Sequence, residues 1–326
     1  MNKKNIRDLK FNGKKVLVRV DLNVPFKKGA LEISDDWRIR AVIPTIQMLK
    51  EADASIILIT HLGRPDGEVV EELRLNIVAQ RFSEILGEQI IYLQDCIGAN
   101  VGSAVEDIKP GQVILLENLR FHPEEEANDV DFARKLADLA DFYVNDAFSV
   151  SHRAHASVDA ITRFLPSVAG LLMERELEML GRALEQPRRP LGAIVGGAKV
   201  SDKMIVLEQL QEKADFLFIG GGMVATFLQA QGFSTGNSLV EKDRIAFATA
   251  LLENSAAKKC EILLPSDVVV ATEFKKEALS HTVPVGDIPK DSLIMDIGPQ
   301  SVASYIDALS QCKTVIWNGP MGVFEW

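Results

Sequence analysis

The sequence predicts an α/β protein with two domains, each built on an open, mostly parallel sheet. Short apolar runs alternate with amphipathic stretches along the whole chain, as strands alternate with helices in such folds. The run SIILIT (residues 55–60) is apolar without alternation, which suits a parallel strand buried on both faces. The 326 residues also exceed what one hydrophobic core usually serves. We therefore expect two three-layer, Rossmann-like domains.

The first half shows this alternation clearly. Strands are predicted at residues 15–24, 55–60, 90–93, 113–116 and 142–144. Helices are predicted at residues 38–52, 77–86 and 132–140. Ser34, Asp35 and Asp36 are typical of the residues that precede a helix, and Pro44 is expected to kink the helix that follows.

A charged amphipathic run at residues 171–185, followed by QPRRP, marks the domain boundary. It predicts an N-terminal domain (1–170), a connector helix (171–187) and a C-terminal domain (188–326). Beyond it, strands are predicted at 191–195, 216–219, 261–264, 268–271, 294–296 and 314–317. Helices are predicted from 201–203 onward and at 223–231, 243–252 and 300–309. The chain stops directly after a strand and a glycine turn, so we expect a truncation that leaves the second domain incomplete at its C-terminal end.

The composition limits the classes of function. A net charge of −10 argues against nucleic acid as the main partner, although a local basic cluster still suits a small anion. No apolar run is long enough to span a bilayer, and no signal peptide is recognisable, which predicts a cytoplasmic protein without a membrane partner. The three cysteines lie far apart, so neither a disulfide framework nor a zinc site is indicated.

Polar and basic side chains recur where the strands of the first half end. The set is Asp21, Asn23, His61, Arg64, Arg120, His152 and Arg153, with Arg38 at the start of a helix. Ligands of open α/β sheets bind at the carboxyl ends of strands, so these side chains are expected to converge on one crevice. Arginine binds phosphate and carboxylate bidentately, which predicts a small, multiply charged acid as ligand. Taken singly, each arginine is better explained by a surface salt bridge, and each histidine fits a buried, hydrogen-bonded imidazole equally well.

The second half has two strands that end in glycines. GGAK (residues 196–199) and GGG (residues 220–222) flank a helix start, with Lys199 and Lys203 between them. Glycines allow close approach of the backbone and helix N-termini face phosphates well, so the pair predicts a polyphosphate site. Two ordinary strand–helix turns with solvated lysines remain the alternative.

Two known fingerprints come close to this stretch. The spacing from Gly192 to Gly197 is not followed by the lysine and hydroxyl residue of a Walker A loop. Residues 220–225 (GGGMVA) do fit the dinucleotide-binding pattern, which makes a nicotinamide-dependent dehydrogenase an alternative. In that pattern an acidic residue at the end of the next strand binds the ribose. Here the candidate acids, Glu241 and Asp243, precede a helix instead. A non-enzymatic anion-binding module is a third possibility. A small acid in one half and a polyphosphate in the other favour a two-domain phosphotransferase that closes around its substrates.

Eight motifs in the same order give the chain a resemblance to the phosphoglycerate kinase family over nearly its whole length. They are RVDLNVP (19–25), HLGRPDG (61–67), LLENLRFHPEEE (115–126), YVNDAF (143–148), HRAHAS (152–157), GGAKVSDK (196–203), IGGGM (219–223) and WNGPMGVFEW (317–326). The resemblance implies reversible, in-line phosphoryl transfer from 1,3-bisphosphoglycerate to ADP with Mg²⁺, giving 3-phosphoglycerate and ATP in glycolysis, by a monomer.

The resemblance also implies residue roles. Those for phosphoglycerate binding are Asp21, Asn23, Arg38, His61, Gly63, Arg64, Arg120 and Arg153. Those for nucleotide binding are Lys199, Lys203, Gly220, Gly221, Asn318 and Glu325. Arg38 and Lys199 are the expected catalytic residues, acting electrostatically on the transferred group. The expected metal-holding aspartate lies beyond Trp326. We therefore expect the chain alone to bind phosphoglycerate, but to bind MgADP poorly and to turn over slowly or not at all. Residues 149–151 (SVS) depart from the family's usual glycine-containing link, with only a local effect expected.

Overall fold

The structure is a computed structural model that describes residues 3–27 and 29–326. The chain divides into two compact units, Met1–Met179 and Leu180–Trp326. The division falls within a helix, Leu171–Glu185, at the position of the predicted connector. The limits predicted for the domains, 1–170 and 188–326, stay a prediction.

The first unit is a six-stranded parallel sheet with helices on both faces. Its strands are β1 (Lys15–Arg19), β2 (Ser55–Ile59), β3 (Ile91–Tyr92), β4 (Val113–Leu115), β5 (Phe142–Asn145) and β6 (Ser167–Ala169). Its helices are α1 (Trp37–Glu51), α2 (Asn76–Leu86), α3 (Ala99–Glu106), α4 (Pro123–Glu126), α5 (Val130–Ala137) and the beginning of α6 (Leu171–Glu185). The spatial order of the strands is β3-β4-β2-β1-β5-β6.

Side chains of β1 and β2 alternate between two apolar clusters. Val16 and Val18 pack in one cluster with residues of α1 and α2, whereas Leu17 packs in the other with residues of α3 and α5. All five residues of β2 are buried. This explains why SIILI is continuously apolar, because a strand buried on both faces has no solvent side.

The first strand is shorter than predicted, since it ends at Arg19 rather than at residue 24. Beyond it, the Asn23 N–H donates to Oδ1 of Asp21 at 3.0 Å, and the Leu22 N–H donates to Oγ1 of Thr60 at 3.0 Å. These side-chain acceptors take the place of ladder partners, so the chain leaves the sheet there. The helix predicted at residue 38 begins at Trp37, whose N–H donates to Oδ1 of Asp35 at 2.7 Å.

The second unit contains two sheets. Its strands are β7 (Leu191–Val195), β8 (Phe216–Ile219), β9 (Glu261–Leu263), β10 (Asp267–Ala271), β11 (Ser280–Pro284), β12 (Leu293–Ile297) and β13 (Thr314–Asn318). Its helices, after the end of α6, are α7 (Met204–Gln211), α8 (Val224–Ala230), α9 (Ile245–Glu253), α10 (Ser255–Lys258) and α11 (Pro299–Gln311). One sheet is parallel, in the order β13-β7-β8-β9, and the other is antiparallel, in the order β11-β10-β12.

The α/β class with parallel sheets is confirmed by this architecture. The sequence did not separate the antiparallel sheet from the parallel one, and it missed α3, α4, α10, β6 and β11. Over the described ranges, no helix combines the length and the hydropathy that crossing a membrane requires.

Candidate functional site

A pocket of about 260 Å³ lies in the first unit, where the chain leaves the carboxyl ends of its strands. All eight side chains or glycines predicted to bind phosphoglycerate line it. They are Asp21, Asn23, Arg38, His61, Gly63, Arg64, Arg120 and Arg153. The structure adds Ser149 and Val150, which the sequence did not indicate. The register explains the convergence, because Arg19 at the end of β1 pairs with Ile59 of β2 and with Asn145 of β5.

A larger cavity of about 650 Å³ lies elsewhere in the same unit, between residues 31–36 and α2. Four acidic side chains and only one arginine line it: Glu32, Asp35, Asp36, Glu84 and Arg81. Arg81 is bound there by both Asp36 and Glu84. This cavity therefore does not suit an anion, and the smaller pocket is the candidate site.

Two residues after β1 hold neighbouring loops in place. Asn23 accepts the Gly63 N–H at 2.9 Å through Oδ1, which ties the loop after β2 to the loop after β1. Asp21 accepts from a guanidinium N–H of Arg38 and from the Ser149 hydroxyl, both through Oδ2. The Asp21 carboxylate thus holds Arg38 at the pocket, and a bound anionic ligand could take the place of that carboxylate as the partner of Arg38. The SVS segment supplies Ser149 to this hydrogen-bond network, and the local effect expected of its departure from the family stays a prediction.

Arg120 lies in a short 3-10 helix, Leu119–Phe121, that follows β4. Its Nη1 donates to the Gly63 carbonyl at 2.8 Å, and its Nε lies 3.0 Å from Glu126 Oε1. Burial lowers the pKa of Arg120, and the charges of Arg153 and Arg19 lower it further against the opposing effect of Glu126. Cations therefore crowd one another in this pocket, which favours the entry of an anion.

His61 is buried at the same site, with 5% of its surface exposed. Burial lowers its pKa from 6.5 to about 2, and the charges of Arg19, Arg120, Arg153 and Arg38 add to that effect. The imidazole is consequently neutral at physiological pH. Its Nδ1 lies 3.0 Å from Nη2 of Arg19, a residue that the sequence prediction did not include. The sequence signals for Arg19 are its place after the apolar run VLV of β1 and at the start of the motif RVDLNVP.

The residues predicted to bind nucleotide lie in the second unit: Asn318 ends β13, and the others lie beyond the ends of β7, β8 and β13. Lys203 Nζ donates to Oδ1 of Asn318, so these two are brought together. Lys199 and Glu325 are exposed. Burial raises the pKa of Glu241, but hydrogen bonds from residues 200 and 201 outweigh that effect and lower it. The charge of Lys199 makes a smaller contribution in the same direction.

The glycines of these loops pack the turns against one another. A Cβ on Gly220 would lie 2.4 Å from the Met321 side chain, and a Cβ on Gly196 would lie 1.9 Å from the Pro320 carbonyl oxygen. Gly221 donates its N–H to the Met321 carbonyl at 2.6 Å. These glycines therefore have a packing function of their own, and their contact with nucleotide stays a prediction.

The described residues contain one group of side chains spaced for a metal ion, Asp95, Cys96 and His122. It lies outside the pocket. His122 Nε2 is already 2.9 Å from Asp95 Oδ1, and burial raises the pKa of Cys96 well above its ordinary value. The thiol is therefore protonated and poorly suited to bind a metal.

Comparison with known proteins decides the family. The model of the family described as phosphoglycerate kinase matches residues 6–326. The chain belongs to the phosphoglycerate kinase family. It is 55% identical over 323 residues to phosphoglycerate kinase of Microcystis aeruginosa, covering 99% of this chain and 80% of that protein. It is 52% identical over 325 residues to the enzyme of Moorella thermoacetica, covering 100% and 82%.

Solved structures agree with the family assignment. Phosphoglycerate kinase from Coxiella burnetii superposes with a TM-score of 0.83 at 39% identity, covering 99% of this chain and 82% of that one. The enzyme from Pyrococcus horikoshii gives a TM-score of 0.81 at 33% identity, with the same coverage. The predicted resemblance and the predicted enzyme class, a phosphotransferase with a carboxyl acceptor, are confirmed. Membership of a kinase family decides against the dehydrogenase alternative.

Proposed function

We propose that this protein catalyses reversible phosphoryl transfer from 1,3-bisphosphoglycerate to MgADP, giving 3-phosphoglycerate and MgATP in glycolysis. The observation that carries the proposal is the pocket of the first unit, where Arg38, Arg64, Arg120 and Arg153 face one space with a neutral histidine. A phosphate and a carboxylate at opposite ends of a three-carbon acid match such a set of guanidinium groups.

The chemistry needs little acid–base catalysis, because an acyl phosphate is already an activated donor. The barrier lies in the charge spread over the in-line phosphoryl group and in the repulsion between two polyanions. Fixed cations lower both contributions. We propose that Arg38 stabilises the transferred group from the phosphoglycerate side and Lys199 from the nucleotide side. In this proposal both residues act electrostatically, and neither forms a covalent bond to the transferred group.

The second unit is proposed to take the nucleotide. Its proposed contacts lie at or beyond the carboxyl ends of three adjacent parallel strands, β13, β7 and β8, and are Asn318, Lys203, Gly220 and Gly221. Ligands of such sheets bind at carboxyl ends, near a reversal of strand order. Glu325 is proposed to contact the ribose. Mg²⁺ enters bound to ADP or ATP, as part of the substrate. Transfer requires water to be excluded, which is the purpose of the predicted domain closure.

We further propose that the protein acts as a cytoplasmic monomer without nucleic-acid or membrane partners. The net charge of −10 supports the lack of a nucleic-acid partner.

The experiment that tests the function supplies 1,3-bisphosphoglycerate and MgADP and measures ATP with luciferase, for this chain and for a form extended with the further C-terminal segment of the family. We expect the extended form to make ATP in a reaction that depends on Mg²⁺ and on both substrates, and the chain alone to make it slowly or not at all. Both forms are titrated with 3-phosphoglycerate. Saturable binding without ATP formation by the extended form would support the anion-binding module instead, and the absence of both would refute the proposal.

A further inference from the structure

The buried side chain of Arg19 does not line the pocket, but it lies within hydrogen-bond distance of His61, which does. We propose that Arg19 is a positioning residue, which fixes the proton of the neutral His61 imidazole on Nε2 so that this nitrogen donates a hydrogen bond to the bound anion. The inference rests on the proposed function for the nature of the ligand. It assigns a role in that site to a residue that does not itself line the pocket.

The contacts of Arg19 determine the tautomer. Its Nη2 lies 3.0 Å from His61 Nδ1, its Nε donates to Oγ of Ser157 at 3.0 Å, and its Nη1 donates to the Val20 carbonyl. A guanidinium group has donors and no acceptor. The bond to His61 therefore requires Nδ1 to accept. In a neutral imidazole the single proton then lies on Nε2.

Arg19 is itself held by a buried glutamate. Ser157 donates its hydroxyl to Glu125 Oε1 at 2.6 Å and its backbone N–H to Glu125 Oε2 at 2.9 Å. The serine hydroxyl accepts from Arg19 and donates to Glu125, so it links the two opposite charges in the interior. Arg19 and Glu125 are 1% and 0% exposed. A buried guanidinium balanced in this way has no alternative partner in water, and its orientation is fixed.

The tautomer of His61 decides whether the ring attracts or repels an anion in the pocket, because the surrounding arginines keep the ring neutral. The charged groups that act on His61 are Arg19, Arg38, Arg120 and Arg153, and all four disfavour a second proton on the imidazole. Without Arg19, a neutral ring could place its proton on Nδ1. Nε2 would then present a lone pair to an anion, which is repulsive. With Arg19, the ring presents an N–H.

Nuclear magnetic resonance of the histidine ring nitrogens tests the inference without any substrate. The ¹⁵N-labelled chain is recorded between pH 5 and 8, and the five histidines are assigned by substitution. We expect wild-type His61 to be the Nε2–H tautomer and not to titrate in this range. In Arg19→Met, which keeps a flexible, unbranched stem without the donors or the charge, we expect a mixture of tautomers and a rise of the His61 pKa towards its ordinary value.

Arg153→Met is the matched control, because it removes the same charge from the pocket while leaving the bond between Arg19 and His61. Its His61 is expected to keep the Nε2–H tautomer. We also expect Arg19→Met to weaken binding of 3-phosphoglycerate by about tenfold or more, the value of one lost hydrogen bond to a charged ligand.

Several results would overturn the inference. An Nδ1–H tautomer in the wild type, or an unchanged Nε2–H tautomer in a folded Arg19→Met variant, would do so. If Arg19→Met does not fold, Ser157→Ala loosens Arg19 at its Nε, and an increase in the Nδ1–H population is then required. A fixed tautomer in a pocket that does not bind 3-phosphoglycerate would refute the proposed function while supporting the role of Arg19 in orienting His61.

Discussion

Replacement of Gly221 by alanine is expected to destabilise the second unit more than the same replacement of Gly232. Both glycines have positive φ angles, 72° and 89°. In that region an L-residue costs roughly 1–2 kcal/mol. A Cβ on Gly221 would also lie 2.6 Å from the Gly197 nitrogen and 2.8 Å from the Pro320 oxygen, whereas a Cβ on Gly232 has no other heavy atom within 4 Å. Gly232→Ala is therefore the control for backbone strain alone.

Steric overlap of the new Cβ with neighbouring turns is what should make Gly221→Ala more destabilising than Gly232→Ala. The atoms that its Cβ meets are backbone atoms of two other turns, so relief requires the turns to separate. Overpacking of this kind costs about 1–3 kcal/mol. The bond from the Gly221 N–H to the Met321 carbonyl, 2.6 Å long, is weakened by the same movement. We expect a loss of about 2–5 kcal/mol for Gly221→Ala and about 1–2 kcal/mol for Gly232→Ala.

Urea unfolding followed by tryptophan fluorescence measures both losses. Trp317 and Trp326 belong to the second unit, and Trp37→Phe removes the tryptophan of the first unit from the signal. The free energies are compared in that common background. Equal losses in the two variants would refute the conclusion that Gly221 is required for turn packing.

Two further predictions concern the arginine pocket and its histidine. In the extended form, Arg38→Ala and Lys199→Ala are each expected to lower kcat by about 100-fold or more. The free energy of unfolding should change by less than about 1 kcal/mol, since the Arg38 side chain is 40% exposed and Lys199 is exposed. Near-native turnover in both variants would contradict the assigned roles. His61 has a pKa lowered from 6.5 to about 2, so below pH 6.5 the unfolded chain binds a proton that the folded chain does not. Stability therefore falls as the pH drops below 6.5, and between pH 7.5 and 5.5 the wild type should lose about 1 kcal/mol more than His61→Gln in urea unfolding. The same pH dependence in both proteins would show that His61 titrates normally when folded.

Much of the fold was predictable because burial on both faces leaves a clear pattern. β2 and β8 read as continuous apolar runs, and their ends were placed within one residue. The end of β1 was not predictable, because it depends on Asp21 and Thr60 capturing backbone N–H groups. The antiparallel sheet was missed because the apolar runs of β10 and β12 do not reveal which strand each will pair with.

The pocket was predictable for a topological reason, since parallel strands bring their carboxyl ends to one edge of the sheet. The residues predicted from those ends therefore line one pocket, with the exception of His152, which is not among its lining residues. Arg19 was missed because its burial depends on Ser157, 138 positions away, and through Ser157 on Glu125. Ser149 was missed because its segment was considered only as a departure from the family motif. The packing of Gly220 against Met321 likewise required the tertiary structure.

Calorimetric titration of 3-phosphoglycerate into the chain tests the assignment of the pocket most directly. Arg64→Ala is the informative variant, because Arg64 lines the pocket and is exposed, so its removal should not disturb folding. Arg81→Ala, in the acidic cavity beside α2, is the control. We expect one equivalent to bind, with affinity about tenfold lower in Arg64→Ala and unchanged in Arg81→Ala. Absence of saturable binding, or equal losses in the two variants, would contradict the assignment.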